Sequence, residues 1–147
     1  MNVDSVGGLV FPAVRIEAEQ LLSPPLYASA IGSVHPEYVS TEAARAAGLA
    51  GRLLPPLSFF HTVEESTLLE RLGIRYGQTM AVGVEQDFGV LATERDVISG
   101  QTVVESAERR TGRDGGCRQV LVLKSEFRLV ETDELVSRSR VTFIEVE

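Results

Sequence analysis

The sequence predicts an α+β domain in which a curved antiparallel sheet packs on one main helix. Two observations carry this. The second half of the chain holds four Val-, Ile-, Thr- and Phe-rich stretches in succession, Met80–Val90, Gln101–Arg110, Arg118–Val130 and Leu135–Val146, which are strand candidates. A single long helical pattern, roughly Leu57 to Leu72, precedes them. Helices do not alternate with strands, so a doubly wound parallel fold is not expected.

Taken in order, Leu9 to Ala18 is the first strand candidate. Val10, Pro12, Val14, Ile16 and Ala18 fall on one face at period two, and Pro12 suits a sheet edge. "LLSPPLYASAIG" then reads as a helix, with Ser23 as N-cap, Pro24 and Pro25 in the first turn and Gly32 as its stop. "STEAARAAG" reads as a second short helix, capped by Ser40 or Thr41, with Glu42 in its first turn and Gly48 at its end. "LAGRLLPP" connects it to the long helix. Phe59, Phe60, Val63, Leu68, Leu69 and Leu72 give that helix its apolar side, and Gly73 stops it. "TGRDGG" and "ETDE" are the hairpin turns between the last three strands. In the strand from Arg118 to Val130, Gln119, Leu121, Leu123, Ser125, Phe127 and Leu129 share one face, while Val120 and Val122 suggest that part of the other face is covered.

Composition narrows the function. A chain of 147 residues fits one domain, here taken as residues 1–147, and its 44% hydrophobic and 24% charged content is that of a globular protein able to bury a core. The net charge of −7, with dispersed arginines, argues against nucleic acid as a partner. No apolar run approaches the length that crosses a bilayer, so no membrane association is expected. "MNVDSVGGLV" lacks the basic and long apolar regions of a signal peptide, so a cytoplasmic location is the expectation. The single cysteine, Cys117, excludes an internal disulfide and a Cys-based metal site. Neither GxGxxG nor GxxxxGK[ST] occurs.

Three segments carry a family resemblance: "YASAIGSVHPEYVSTEAARAAG", "LLPPLSFF" and "VEQDFGVLATERDVISGQTV". In their order and spacing the chain resembles the MaoC-like hotdog family, in the branch of its N-terminal, FAS1-like dehydratase domain. The resemblance spans roughly Phe11 to Glu145. It implies a hotdog fold, with the antiparallel sheet wrapped around one long central helix. It also implies an (R)-specific enoyl-thioester hydratase or 3-hydroxyacyl-thioester dehydratase chemistry. Such proteins add or remove water across the α,β double bond of an acyl chain on coenzyme A or acyl carrier protein, with no metal or redox cofactor. It further implies a second hotdog subunit, in a homodimer or in a heterodimer with a catalytic MaoC-like protein, with ligand at the interface.

Active members carry a motif of the form G-D-x-N-P-x-H, whose Asp and His hold and activate water. Hydration needs a base for water, an acid for the α-carbon, and donors where enolate charge develops on the thioester oxygen. In this chain the motif falls on Gly32-Ser33-Val34-His35-Pro36-Glu37-Tyr38. Gly32 and Pro36 match, but Ser33 holds the Asp position, His35 the Asn position and Tyr38 the His position. Serine is no carboxylate base, and a tyrosine with a pKa of about 10 is a poor base at neutral pH.

Three readings stay open. The chain is a non-catalytic subunit that helps form the acyl-binding site beside a catalytic partner. Alternatively His35 has taken over the acid/base role, oriented by Glu37 or Tyr38. Or the protein binds an acyl thioester without turning it over. The bland reading of His35 is a solvated residue in a Gly/Pro turn, that of Tyr38 a core residue with its hydroxyl bonded to backbone.

Further along, the backbone donors of Leu57 and Ser58, at a helix start rigidified by Pro55 and Pro56, are candidates for the thioester carbonyl, with Phe59 and Tyr38 beside them. The plain alternative is that the two prolines only begin a helix. His61 reads as a helix-face residue. Glu85 and Asp87 share a strand face, and a solvated face is the better reading for both. Cys117 has no nearby partner pointing to a nucleophilic role.

Overall fold

The β-branched second half folds into a single antiparallel sheet. The computed structural model describes residues 6–17, 21, 23–55, 70, 72, 79–113 and 115–145. In chain order the elements are β1 (Val14–Ile16), α1 (Pro24–Ala30), a 3-10 turn (Pro36–Tyr38), α2 (Thr41–Ala46), β2 (Thr79–Phe88), β3 (Ile98–Thr111), β4 (Cys117–Leu129) and β5 (Leu135–Glu145). The sheet order is β1-β3-β4-β5-β2, with every neighbouring pair antiparallel. The long helix expected over Leu57 to Leu72 lies outside the described residues, apart from Glu70 and Leu72.

Both expected hairpins form. Thr111 and Cys117 face each other across the first, and β4 turns into β5 through a residue, Asp133, at a φ of 59°. Aspartate tolerates that left-handed region better than most side chains. β2 precedes β3 in the chain yet lies at the far edge of the sheet, beside β5.

The first strand is shorter than its periodicity predicts. β1 spans Val14–Ile16, not Leu9 to Ala18, and pairs with the start of β3. Phe11 still donates its N–H to the Thr102 carbonyl at 2.9 Å, and Val104 donates to Leu9 at 2.8 Å. From Val10 opposite Val103 to Val14 opposite Gly100 the register slips by one residue, so the regular ladder is interrupted around Pro12 and resumes at Val14. The face pattern shifts at the same place: Phe11 and Ile16 are buried, whereas Val10 and Val14 are exposed.

Two apolar clusters hold the sheet. One joins Val6, Phe11 and Leu72 to Val104, Leu121, Leu123, Val141 and Phe143. Leu72, the last residue of the expected helix, therefore reaches the core. The other joins Ile16, Leu54, Ala92, Ile98, Phe127 and Val136. Each large side chain so buried contributes roughly 1.5–3 kcal/mol. Leu121, Leu123, Ser125 and Phe127 are buried on the face the alternation assigned to them, and Val120 and Val122 are buried on the other. Between the clusters runs a row of buried hydroxyls on adjacent strands, Thr102, Ser125 and Ser139. Thr102 and Ser125 satisfy one another with a 2.7 Å hydrogen bond.

Candidate functional site

The segment from α1 to α2 positions the motif residues. Pro24 and Pro25 occupy the first turn of α1, and Ser23 is its N-cap residue by position, although its side chain makes no capping bond. The helix closes with the two hydrogen bonds of a Schellman motif: Ser33 N–H donates to Ala28 O at 2.8 Å and Gly32 N–H to Ser29 O at 3.3 Å. Gly32 sits at a φ of 67°, a conformation that glycine adopts without a Cβ penalty. The glycine of the motif thus does a backbone task.

Beyond it the chain extends to His35, which precedes the 3-10 turn at φ −73°, ψ 114°. Pro36 favours that extended geometry in the residue before it. His35 N–H approaches the Ser33 hydroxyl at 3.4 Å, and Tyr38 N–H donates to His35 O at 3.3 Å. Ser40 then caps α2, accepting from Ala43 N–H at 3.2 Å. Its hydroxyl donates to the Glu42 carboxylate at 2.9 Å.

The side chains of the motif are open to solvent. Val34 is 91% exposed, His35 is exposed, and Ser33, Glu37 and Tyr38 are half-buried. Among the described residues the His35 imidazole makes no hydrogen bond, to Glu37, to Tyr38 or to any other group. Partial burial, then the nearby Tyr27 and Glu37, hold the Tyr38 hydroxyl above its ordinary value of 10. It is therefore protonated at neutral pH and can donate a hydrogen bond, but cannot act as a resting base.

This turn is tied to the loop that carries Pro55. Leu53 N–H donates to Glu37 O at 3.1 Å, and Leu54 N–H to Ala92 O at 2.9 Å. Arg52 locks the loop from the other side. Its Nε and Nη2 lie 3.0 and 2.8 Å from Glu94 Oε2, its backbone N–H donates to Glu94 Oε1 at 3.2 Å, and Glu94 N–H donates to Arg52 O at 2.9 Å. The Arg52 guanidinium accordingly holds the Glu94 carboxyl below its ordinary value of 4.5. Pro55 is among the most deeply buried residues. Pro56, Leu57, Ser58, Phe59 and His61 lie outside the described residues.

The structure thus brings together three segments that the sequence separates: the turn at 33–38, the loop at 52–55 and the stretch at 92–94. Sequence reasoning read "LAGRLLPP" as a plain connection and missed the Arg52–Glu94 clamp. Its partners are 42 positions apart, and no local pattern pairs them. Glu85 and Asp87 are exposed on β2, with Glu85 bonded to Arg140 at 3.1 Å, as a solvated strand face would be. Cys117 is exposed at the start of β4. Among the described residues, no group of three or more His, Cys, Asp or Glu side chains is placed to hold a metal ion, and no helix is long and apolar enough to cross a membrane.

Residues 14–136 match the family model of the FAS1-like dehydratase domain region. No curated protein matches the chain significantly. Among solved structures, the chain is similar to the C-terminally truncated HadBC (3R-hydroxyacyl-ACP dehydratase) complex from Mycobacterium tuberculosis, with a TM-score of 0.72 at 18% identity over 95% of this chain and 97% of that one. It is also similar to the ChsH1–ChsH2 complex from Mycobacterium tuberculosis, with a TM-score of 0.62 at 14% identity over 97% and 99% of the two chains. The (R)-hydratase of A. caviae involved in PHA biosynthesis superposes with a TM-score of 0.66 at 10% identity, over 96% of each chain. At such identities the likeness speaks for the fold, which is the hotdog α+β fold, its five-stranded antiparallel sheet included.

Proposed function

The chain belongs to the family of the FAS1-like dehydratase domain region, and from that premise we propose that it is the non-catalytic subunit of an (R)-specific 3-hydroxyacyl-thioester dehydratase or enoyl-thioester hydratase. Its partner is a second hotdog chain that supplies the Asp and His. The reaction adds or removes water across the α,β double bond of an acyl chain on coenzyme A or acyl carrier protein.

One observation carries the reading. The segment Gly32 to Tyr38 keeps a Gly/Pro backbone frame with Gly32 in the left-handed conformation, yet Ser33 and Tyr38 stand where a carboxylate and an imidazole would activate water. Tyr38, its hydroxyl held protonated, is suited to line the acyl site as a donor rather than to remove a proton. The reading assigns the thioester oxygen to the N–H groups of Leu57 and Ser58, which follow Pro55 and Pro56 in sequence, and the acyl chain to Phe59. What favours this over catalysis by His35 is the exposed imidazole, which has no hydrogen bond to orient it among the described residues.

The test is a hydration assay on a crotonyl-type thioester. The purified chain alone is expected to be inactive. Activity is expected when it is co-purified with a hotdog protein of the same genome that holds an intact G-D-x-N-P-x-H motif, and His35→Ala in that complex leaves the rate within about twofold. Robust hydration by the chain alone, lost on His35→Ala, would overturn the reading in favour of His35 as the acid/base.

A further inference from the structure

The inward face of the sheet changes character from one end to the other. Along β5 its alternate positions read Ser137, Ser139, Val141 and Phe143, all buried. Directly opposed residues on neighbouring strands share a face, so two rows cross the sheet at its serine end. In one, Thr102 on β3, Ser125 on β4, Ser139 on β5 and Gln86 on β2 follow each other strand by strand. In the next, Gly100, Phe127, Ser137 and Phe88 do the same. Phe127 packs in one cluster with Leu54, just before Pro55, so this is the end of the sheet that carries the loop of the candidate site.

A row of hydroxyls can satisfy itself, and the pair Thr102 and Ser125 does so. Ser137 does not. It is 0% exposed, and among the described residues its Oγ has no hydrogen-bond partner. The residues opposite it on both neighbouring strands are Phe127 and Phe88, whose rings offer no lone pair. A buried hydroxyl in that state costs stability that an alanine would not, and such a group calls for a polar guest. The serine end is approached from β2. Gln86 there is half-buried, and Val84 and Phe88, on either side of it on the same face, are 52% and 58% exposed. Along β2 the face therefore reads apolar, polar, apolar, with the serine hydroxyls one strand further in.

We propose that Gln86, Ser137 and Ser139 form a polar subsite for the acyl chain, and that the ligand is an acyl thioester whose chain carries a second oxygen, a ketone or a hydroxyl, beyond the carbons that react. Val84 and Phe88 cover the methylene stretches on either side of that oxygen. Each serine hydroxyl donates to a ketone or accepts from a hydroxyl, and the Gln86 amide does either. Access to Ser137 is by rotation of Phe88, which faces it from β2 and, being more than half exposed, is free to turn. A plain alkyl chain leaves the Ser137 hydroxyl unpaired, and a site of this kind discriminates by what it leaves unpaired. The proposal rests on the reading above that this chain helps form the acyl site, and it names the substrate class.

The test is calorimetric titration of the chain, alone and in the co-purified complex, with octanoyl-CoA and with its keto analogues, the ketone placed at each carbon from the fifth to the seventh. At least one keto analogue is expected to bind about tenfold more tightly than octanoyl-CoA. Ser137→Ala and Ser139→Ala should each bring that ratio to within about twofold of unity. Ser137→Ala should also raise the urea midpoint, since it deletes a hydroxyl with nothing to bond. Equal binding of octanoyl-CoA and every keto analogue, or a preference that survives both substitutions, would overturn the proposal. So would a Ser137→Ala variant less stable than its parent, because the hydroxyl would then have a structural partner. The hydration assay is read separately. Activity of the chain alone would sink the subunit reading and leave the subsite standing, whereas absence of a keto preference would sink only the subsite.

Discussion

Replacing Gly100 by alanine drives a methyl group into the ring of Phe127. An added Cβ at Gly100 would lie 2.9 Å from Phe127 Cε1, 3.0 Å from its Cδ1 and 3.3 Å from Ile16 Cδ1. Phe127 and Ile98 are almost wholly buried, and Leu54, just before Pro55, belongs to the same cluster, so the ring has little room to retreat. Overpacking of this kind costs about 1–3 kcal/mol. Alanine in place of glycine recovers up to ~1 kcal/mol of unfolded-state entropy where the backbone permits it. The net expectation is a loss of about 1–2 kcal/mol, read as a lower urea midpoint with an unchanged slope. Phe127→Ala alone should cost about 3–5 kcal/mol. In the double variant the new methyl has no ring to strike, so its total should fall short of the sum of the two by about 1–2 kcal/mol. Strict additivity, or a Gly100→Ala variant as stable as the parent, would refute the argument that the glycine exists to seat the ring.

Two further expectations concern the frame of the site. Glu94 is held deprotonated by Arg52, so its folded value lies below the unfolded one. The stability it contributes is present above about pH 4.5 and is lost as the pH falls through the lower folded value. Glu94→Gln should therefore lower the urea midpoint at pH 7 and flatten its fall below pH 4.5, and a parallel acid profile in both proteins would count against the clamp. Ser40→Ala removes the side-chain acceptor of Ala43 N–H and should cost about 1 kcal/mol by thermal melting, with Ser40→Asn restoring most of it.

Strand identity was legible because β-branched runs bounded by turn residues leave little choice: β4 and β5 begin and end within one or two residues of their sequence patterns. The turn was legible for the same local reason, since Gly32 and Pro36 restrict their own backbone wherever the rest of the chain goes. Also legible was what the motif lacks, because the identity of Ser33 and Tyr38 is a fact of sequence. β1 was misjudged because periodicity carries no information about the one-residue register slip against β3 between Val10 and Val14.

What sequence alone determined here is therefore the inventory: which segments are strands, where the chain must turn, and which chemical groups stand at the motif. Tertiary structure alone decided their neighbours. It set β2 beside β5 rather than β3, at the edge of the five described strands. It joined Arg52 to Glu94 and Leu53 to Glu37, fastening the Pro55 loop to the turn. The physical reason is one of range. Backbone sterics and hydrogen-bonding capacity act between residues a few positions apart, whereas pairing, burial and ion-pair formation act between whichever surfaces the folded chain brings into contact.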